Sequence, residues 1–163
     1  MKLIYLSLIF FGFPWLTSRA FSLTCPSDGY SIRVSLRQHS LWLCEWGSTS
    51  RVFSISLGWG GRGKHHEGDH KTPLGTYLLG NPRHSDNYAF FIPISYPTPL
   101  QRWLGFTGGA VGVHGPPRRG NSFDADAATE DWTEGCLALA SDRAITEVVA
   151  WVNRNSPAFI HID

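Results

Sequence analysis

The sequence predicts a mainly β domain carrying one late α-helix. Short runs that alternate apolar and polar residues recur from Tyr30 onward, each bounded by turn-forming residues. Only one segment, near the C-terminus, has apolar residues at helical spacing. The 163 residues contain no internal repeat, low-complexity stretch or domain linker, so a single folded domain over residues 30–163 is expected.

Tyr30 to Arg37 alternates without a break, as a half-buried strand does. Gln38-His39-Ser40 turns the chain into Leu41 to Glu45, and Gly47-Ser48-Thr49-Ser50 turns it into Arg51 to Leu57, which gives an antiparallel meander. Gly58 to Gly63 is too glycine-rich for a strand interior, and Lys64 to Gly75 is polar and broken by Pro73, so both read as loops. Strands are expected at Thr76 to Leu79, Tyr88 to Ser95 and Ala110 to His114, with a loop or short helix over Pro97 to Gly109. Pro116 to Asp131 reads as a long surface loop, a kind that is usually functional when ordered. Ser141 can cap a helix over Asp142 to Asn153, where Ala144, Ile145, Val148, Val149 and Val152 form one stripe. Phe159 to Ile162 closes the chain as a short strand.

Met1-Lys2 followed by the apolar run Leu3 to Leu16 has the form of an export signal, with Ser18 and Ala20 as small residues before a cleavage point after Ala20. The run holds Gly12 and Pro14 and is shorter than the ~20 residues of a membrane span, which disfavours an uncleaved anchor. Residues 1–20 are therefore read as a signal peptide and 21–29 as an N-terminal segment. The expected location is the periplasm or the cell envelope. A lipid anchor on Cys25 fits poorly, because Leu23 and Thr24 stand where small residues are needed. The formal charge of +1, from 14 basic and 13 acidic residues, gives no electrostatic reason for a nucleic-acid or anionic-membrane partner. Three cysteines in an oxidising compartment favour one bridge and one free thiol. Cys25 and Cys44 flank the first strand, which leaves Cys136 free.

Two short motifs carry chemistry. Ala110-Val111-Gly112-Val113-His114-Gly115 ends an apolar run on a histidine, and Thr133-Glu134-Gly135-Cys136-Leu137-Ala138 follows. A thiol is a nucleophile as thiolate, so a catalytic cysteine needs a nearby histidine or a turn whose N–H groups favour negative charge. His114 and Cys136 are 22 residues apart, so the chain must fold back to join them. Taken singly, each has a plainer reading: a small buried residue after a turn, and a strand end entering a loop.

With the upstream block Gly68-Asp69-His70-Lys71-Thr72-Pro73-Leu74-Gly75-Thr76-Tyr77, these motifs resemble the L,D-transpeptidase catalytic domain, the YkuD family of bacterial cell-wall enzymes. Ile94-Ser95-Tyr96-Pro97 and Asp131-Trp132-Thr133 resemble a subgroup with Trp-Thr-x-Gly-Cys. The resemblance runs from about Tyr30 to the C-terminus. It implies a β-sandwich or barrel-like fold and a peptidoglycan enzyme of cell-wall organisation and cell shape, with no cofactor and acting as a monomer. Cys136 would attack a tetrapeptide stem, release D-alanine and pass the acyl group to an amine of another stem or of an envelope lipoprotein. His114 would be the base, with the Gly115 carbonyl orienting it and the backbone around Gly135 supplying oxyanion donors. Water as acceptor would make the same site an L,D-carboxypeptidase or amidase.

Many members carry Arg two residues after the cysteine; this chain has Ala138. Arg118 and Arg119 are candidates to grip a substrate carboxylate in its place, against the plainer reading of a solvated pair. Tyr96, Trp132 and Thr133 are further cleft candidates, Tyr96 and Trp132 reading more simply as packing residues. A zinc hydrolase built on His65, His66, Asp69 and His70 is the rival chemistry, set against a reading in which Asp69 and Thr72 merely hold a loop. A non-catalytic wall-binding module with an idle thiol is the other class.

Overall fold

A computed structural model describes residues 25–119, 122–123 and 130–163. The expected export signal and part of the Pro116–Asp131 loop lie outside these residues. The chain opens with the anticipated meander: β1 (Tyr30–Ser35), β2 (Ser40–Glu45) and β3 (Ser48–Ser56), paired antiparallel with Ile32 opposite Leu43 and Leu41 opposite Phe53. The alternation puts Ile32, Val34, Leu41 and Leu43 wholly inside. Strand β3 begins three residues earlier than the small polar run suggested, at Ser48 instead of Arg51. Trp46 and Gly47 both take positive φ, 49° and 84°, the geometry of a two-residue hairpin whose twist matches its strands, so Ser48 already pairs with Glu45.

The remaining elements are β4 (Gly75–Leu78), β5 (Arg83–Ser85), β6 (Ala89–Pro93), α1 (Pro99–Trp103), β7 (Gly112–His114), β8 (Arg118–Arg119), β9 (Ser122–Phe123), β10 (Leu137–Leu139), α2 (Asp142–Asn155) and β11 (Phe159–Ile162). Nine strands form one curled sheet in the order β4-β11-β1-β2-β3-β10-β7-β6-β5, and β8 and β9 make a separate hairpin. The fold is mainly β, as read from the alternating runs. Two pairings are parallel and join distant parts of the chain: β1 with β11, and β7 with β10. Strand β10 has no sequence signature, since its three residues are all buried and too few to show a period.

Helix α2 begins where Ser141 accepts a hydrogen bond from the Ala144 N–H at 3.1 Å. Its stripe of Ile145, Val148, Val149, Trp151 and Val152 is buried, and the helix packs on β6 and β10. Such burial contributes roughly 1.5–3 kcal/mol per large apolar side chain. Trp151 also donates from Nε1 to Glu45 Oε1 at 2.6 Å, which ties the helix to the meander. The short α1 starts with a reciprocal capping pair, Thr98 and Gln101.

Cys25 and Cys44 are disulfide-bonded and Cys136 carries a free thiol. The bridge joins residues 19 apart and anchors the segment before β1 to the fully buried Cys44 of β2. Constraining a loop of that size in the unfolded chain is worth about 3 kcal/mol. Replacing both residues, Cys25→Ala with Cys44→Ala, is therefore expected to lower the urea-unfolding free energy by roughly 2–4 kcal/mol. An unchanged midpoint, or a peptide map showing Cys136 in the bridge, would contradict this.

Candidate active site

Strands β7 and β10 lie side by side and parallel, with Leu137 opposite Val113 and Ala138 opposite His114. Residues two apart on a strand share a face, and so do register partners on neighbouring strands. Cys136, two residues before Ala138, thus comes to the same face as His114, one step back along the pair beside Gly112. This pairing brings the two residues that the motifs singled out to one face of the sheet.

The turn before Cys136 is held by Thr133. Its hydroxyl accepts from the Gly135 N–H at 3.1 Å and donates to the Cys136 carbonyl at 2.8 Å. Gly135 has φ 125°, and a β-carbon there would stand 2.5 Å from the Lys71 carbonyl oxygen, so no other residue fits without displacing backbone. The Gly135 N–H is thus engaged with Thr133. That leaves the glycine a conformational part in the turn. The Cys136 thiol is half-buried, donates to the Ala110 carbonyl at 3.6 Å and meets the Gly112 N–H.

His114 is almost wholly buried, at 2% exposure. Its Nδ1 donates to the Gly115 carbonyl at 2.6 Å, which makes Nε2 the basic nitrogen. Gly115 is fixed in turn by close packing: a β-carbon on it would lie 2.6 Å from the Tyr88 carbonyl oxygen and 2.9 Å from Ile145 Cγ2. The imidazole is sandwiched among aromatic rings. Tyr88 stacks on it at 4.0 Å, Trp132 approaches edge-on at 5.6 Å, and Phe91 lies 6.3 Å away.

Burial dominates the electrostatics. It pushes His114 down to about 4, with the Gly115 hydrogen bond working the other way. It also pushes the Cys136 thiol up, against the Gly112 N–H and the charge of Lys64. At neutral pH both partners rest uncharged, so His114 is free to accept a proton. The Tyr88 hydroxyl is raised too, first by burial and then by Cys136.

The loop preceding β4 packs beneath the turn before Cys136. Asp69 accepts from the N–H groups of His65, His66 and Lys71 and from Lys64 Nζ at 2.8 Å. Burial alone would raise its carboxyl; Lys64 and those three N–H groups outweigh it and hold Asp69 well below the usual carboxylate range. Thr72 accepts from the Gly58 N–H at 2.9 Å. Here Asp69 and Thr72 hold the loop. The histidines diverge: His65 packs on Phe106, while His70 stacks on Trp59 and pairs with Glu134. Among the described residues, no group of three or more His, Cys, Asp or Glu side chains is placed to hold a metal ion.

Of the weaker candidates, Trp132 stands beside His114. Thr133 is buried, at 3% exposure, and is spent on the turn. Tyr96 is buried as well, donating to the Thr107 carbonyl at 3.3 Å, and burial with Asp69 and Tyr77 raises it to about 12. Arg118 is engaged by Asp142 at 2.5 Å, which ties the segment after His114 to α2. Arg119 is in β8 opposite Ser122. Ala138 is buried, opposite His114 in the register. Sequence reasoning missed Tyr88 and Lys64. Tyr88 had a signal in its place at the head of an apolar run, whereas a single lysine in a polar loop gave none.

The model of the L,D-transpeptidase catalytic domain, YkuD, matches residues 29–160. No curated protein matches the chain significantly. Among solved structures, the helical cell shape determining protein Pgp2 from Campylobacter jejuni is 26% identical, with a TM-score of 0.67 over 83% of this chain and 47% of its own. A variant of the Enterococcus faecium L,D-transpeptidase is 14% identical, with a TM-score of 0.56 over 83% of this chain and 50% of that one. An L,D-transpeptidase from Xylanimonas cellulosilytica is 19% identical, with a TM-score of 0.50 over 85% and 62%. The last two show likeness of fold alone. The chain spans about half the length of the first of these structures. With the family's domain covering all but the two ends of the described fold, the chain belongs to the L,D-transpeptidase catalytic domain family.

Proposed function

We propose that this chain is a cysteine-dependent L,D-transpeptidase acting on peptidoglycan tetrapeptide stems in the cell envelope, reached by export through residues 1–20. The observation that carries the reading is the parallel pairing that sets Cys136 and His114 on one face, with the imidazole tautomer fixed by the Gly115 carbonyl. Cys136 Sγ attacks the carbonyl that joins the third residue of the stem to its terminal D-alanine. His114 Nε2 takes the thiol proton and then gives it to the departing D-alanine amine, leaving a thioester. An acceptor amine, from another stem or an envelope lipoprotein, attacks the thioester and passes its proton to His114, and the proton returns to the sulfur. The likeness to a cell-shape protein supports a cell-wall substrate.

Because thiol and imidazole act as a unit, Cys136→Ala, His114→Ala and the double variant are expected to lose nearly the same activity, on the order of 10³-fold or more each. Stem turnover followed by muropeptide analysis measures this and separates transfer from hydrolysis. Full turnover by Cys136→Ala would refute the assignment. A chelator is expected to leave turnover intact and a thiol alkylating agent to abolish it; loss to chelator with rescue by zinc would favour the His65, Asp69 and His70 chemistry instead.

The pH profile follows from burial. A base held down to about 4 is unprotonated throughout the neutral range, so the acid limb of kcat/KM is expected near pH 4 and not near the ordinary histidine value. The same group makes the fold lose stability as pH falls from 6.5 towards 4, since there the unfolded chain binds a proton that the native chain does not. A kinetic acid limb at 6–7 would show that His114 is not the buried neutral base described here.

A further inference from the structure

Lys64 is 6% exposed, an unusual burial for an ammonium. Its ammonium donates to Asp69 Oδ1 at 2.8 Å and to the His66 carbonyl at 3.4 Å, while the same carboxylate also accepts three backbone N–H groups within the loop. Taking an ammonium and a carboxylate out of water is costly, and their attraction repays it only with good geometry and further hydrogen bonds. The side chain runs between the turn before Cys136 and the Gly108 segment. Lys64 Cδ lies 3.6 Å from where a β-carbon of Gly135 would stand, and Cε lies 3.4 Å from the same point on Gly108. Those glycines belong to the two segments that meet at the sulfur: Cys136 follows Gly135, and the Ala110 carbonyl that the thiol contacts is two residues past Gly108.

We propose that Lys64 is a positioning residue for Cys136, its stem wedged between the Gly108 and Gly135 segments and its ammonium, anchored on Asp69, holding positive charge beside the sulfur. This rests on the reading of Cys136 as nucleophile and names a determinant of its reactivity. The charged and titratable groups around the pair are His114 from β7, Tyr88 from the turn before β6, Glu67 beside Gly108, Tyr96 near Asp69, and Glu134, which is paired with His70. Lys71 also reaches this turn, through its carbonyl against Gly135, and Lys64 is the cation whose charge acts on the thiol. As the sulfur–carbon bond forms, the thiol proton passes to His114 and the negative charge moves to the carbonyl oxygen. Lys64 exchanges no proton and forms no bond.

The test is the pH dependence of Cys136 alkylation by iodoacetamide, read by intact mass, alongside turnover of a tetrapeptide stem. Lys64→Met keeps the length of the wedge without its charge. Lys64→Met with Asp69→Asn removes both charges, so no unpaired carboxylate is left to unfold the loop. Both variants are expected to move the alkylation profile up by about one pH unit, with ~10-fold slower labelling at pH 7, while Lys64→Arg stays near the parent profile. A folded Lys64→Met or double variant with the parent profile would overturn the proposal. So would failure of all three variants to fold, which would make Lys64 a residue of the fold alone. A parent chain that labels normally but never turns over a stem would remove the transpeptidase reading and leave the role of Lys64 standing.

Discussion

The parallel pairing of β7 with β10 is the contact on which the rest of the site depends. Each strand is three residues long, so the pair has little strength of its own; it is held by antiparallel neighbours, β6 on one side and β3 on the other. A parallel pair also cannot be closed by a tight turn, and the connection here is the whole segment from Gly115 to Cys136. A slip of one residue in this register would carry Cys136 to the opposite face from His114. The surrounding structure guards against that slip. Thr133 clamps the turn at the head of β10, Gly115 is locked between Tyr88 and Ile145, and the Arg118–Asp142 pair ties the start of the return segment to α2.

Burial at this register has an electrostatic consequence. The aromatic surround of Tyr88, Trp132 and Phe91 strips water from the imidazole and favours its neutral form, while the same dryness disfavours the thiolate. A neutral thiol beside a neutral imidazole stores no ion pair in the resting state. In so water-poor a site, fixed dipoles and charges act more strongly than they would in water. On Cys136, burial pulls one way and the Gly112 N–H and Lys64 pull the other.

The glycine-rich loop before β4 links fold and site. Gly58 bridges to Thr133, Trp59 donates its N–H to the Thr133 carbonyl, and Thr72 receives the Gly58 N–H, so the loop and the turn before Cys136 share one hydrogen-bond network. Asp69 organises this loop by satisfying N–H groups that a tight turn would otherwise leave unpaired. On the same network, half-buried His70 stacks on exposed Trp59 and pairs with exposed Glu134.

Local signals in the sequence determined the meander, the helix over α2 and the identity of the Cys136 and His114 motifs, because alternation, cap and stripe are properties of neighbouring residues. Ser141 with Ile145, Val148, Val149 and Val152 is such a case: cap and period agree, and the helix extends only two residues beyond the expected end. The turn at Trp46-Gly47 was misplaced because a tryptophan with positive φ has no composition cue. Tertiary structure alone decided the existence of β10, the parallel register beside β7, the spending of Thr133 and Arg118 on internal contacts, and the burial of Lys64 against the turn before Cys136. Each depends on what a residue meets across the fold, and hydrogen bonding between distant strands and loss of water around a charge leave no period in the chain.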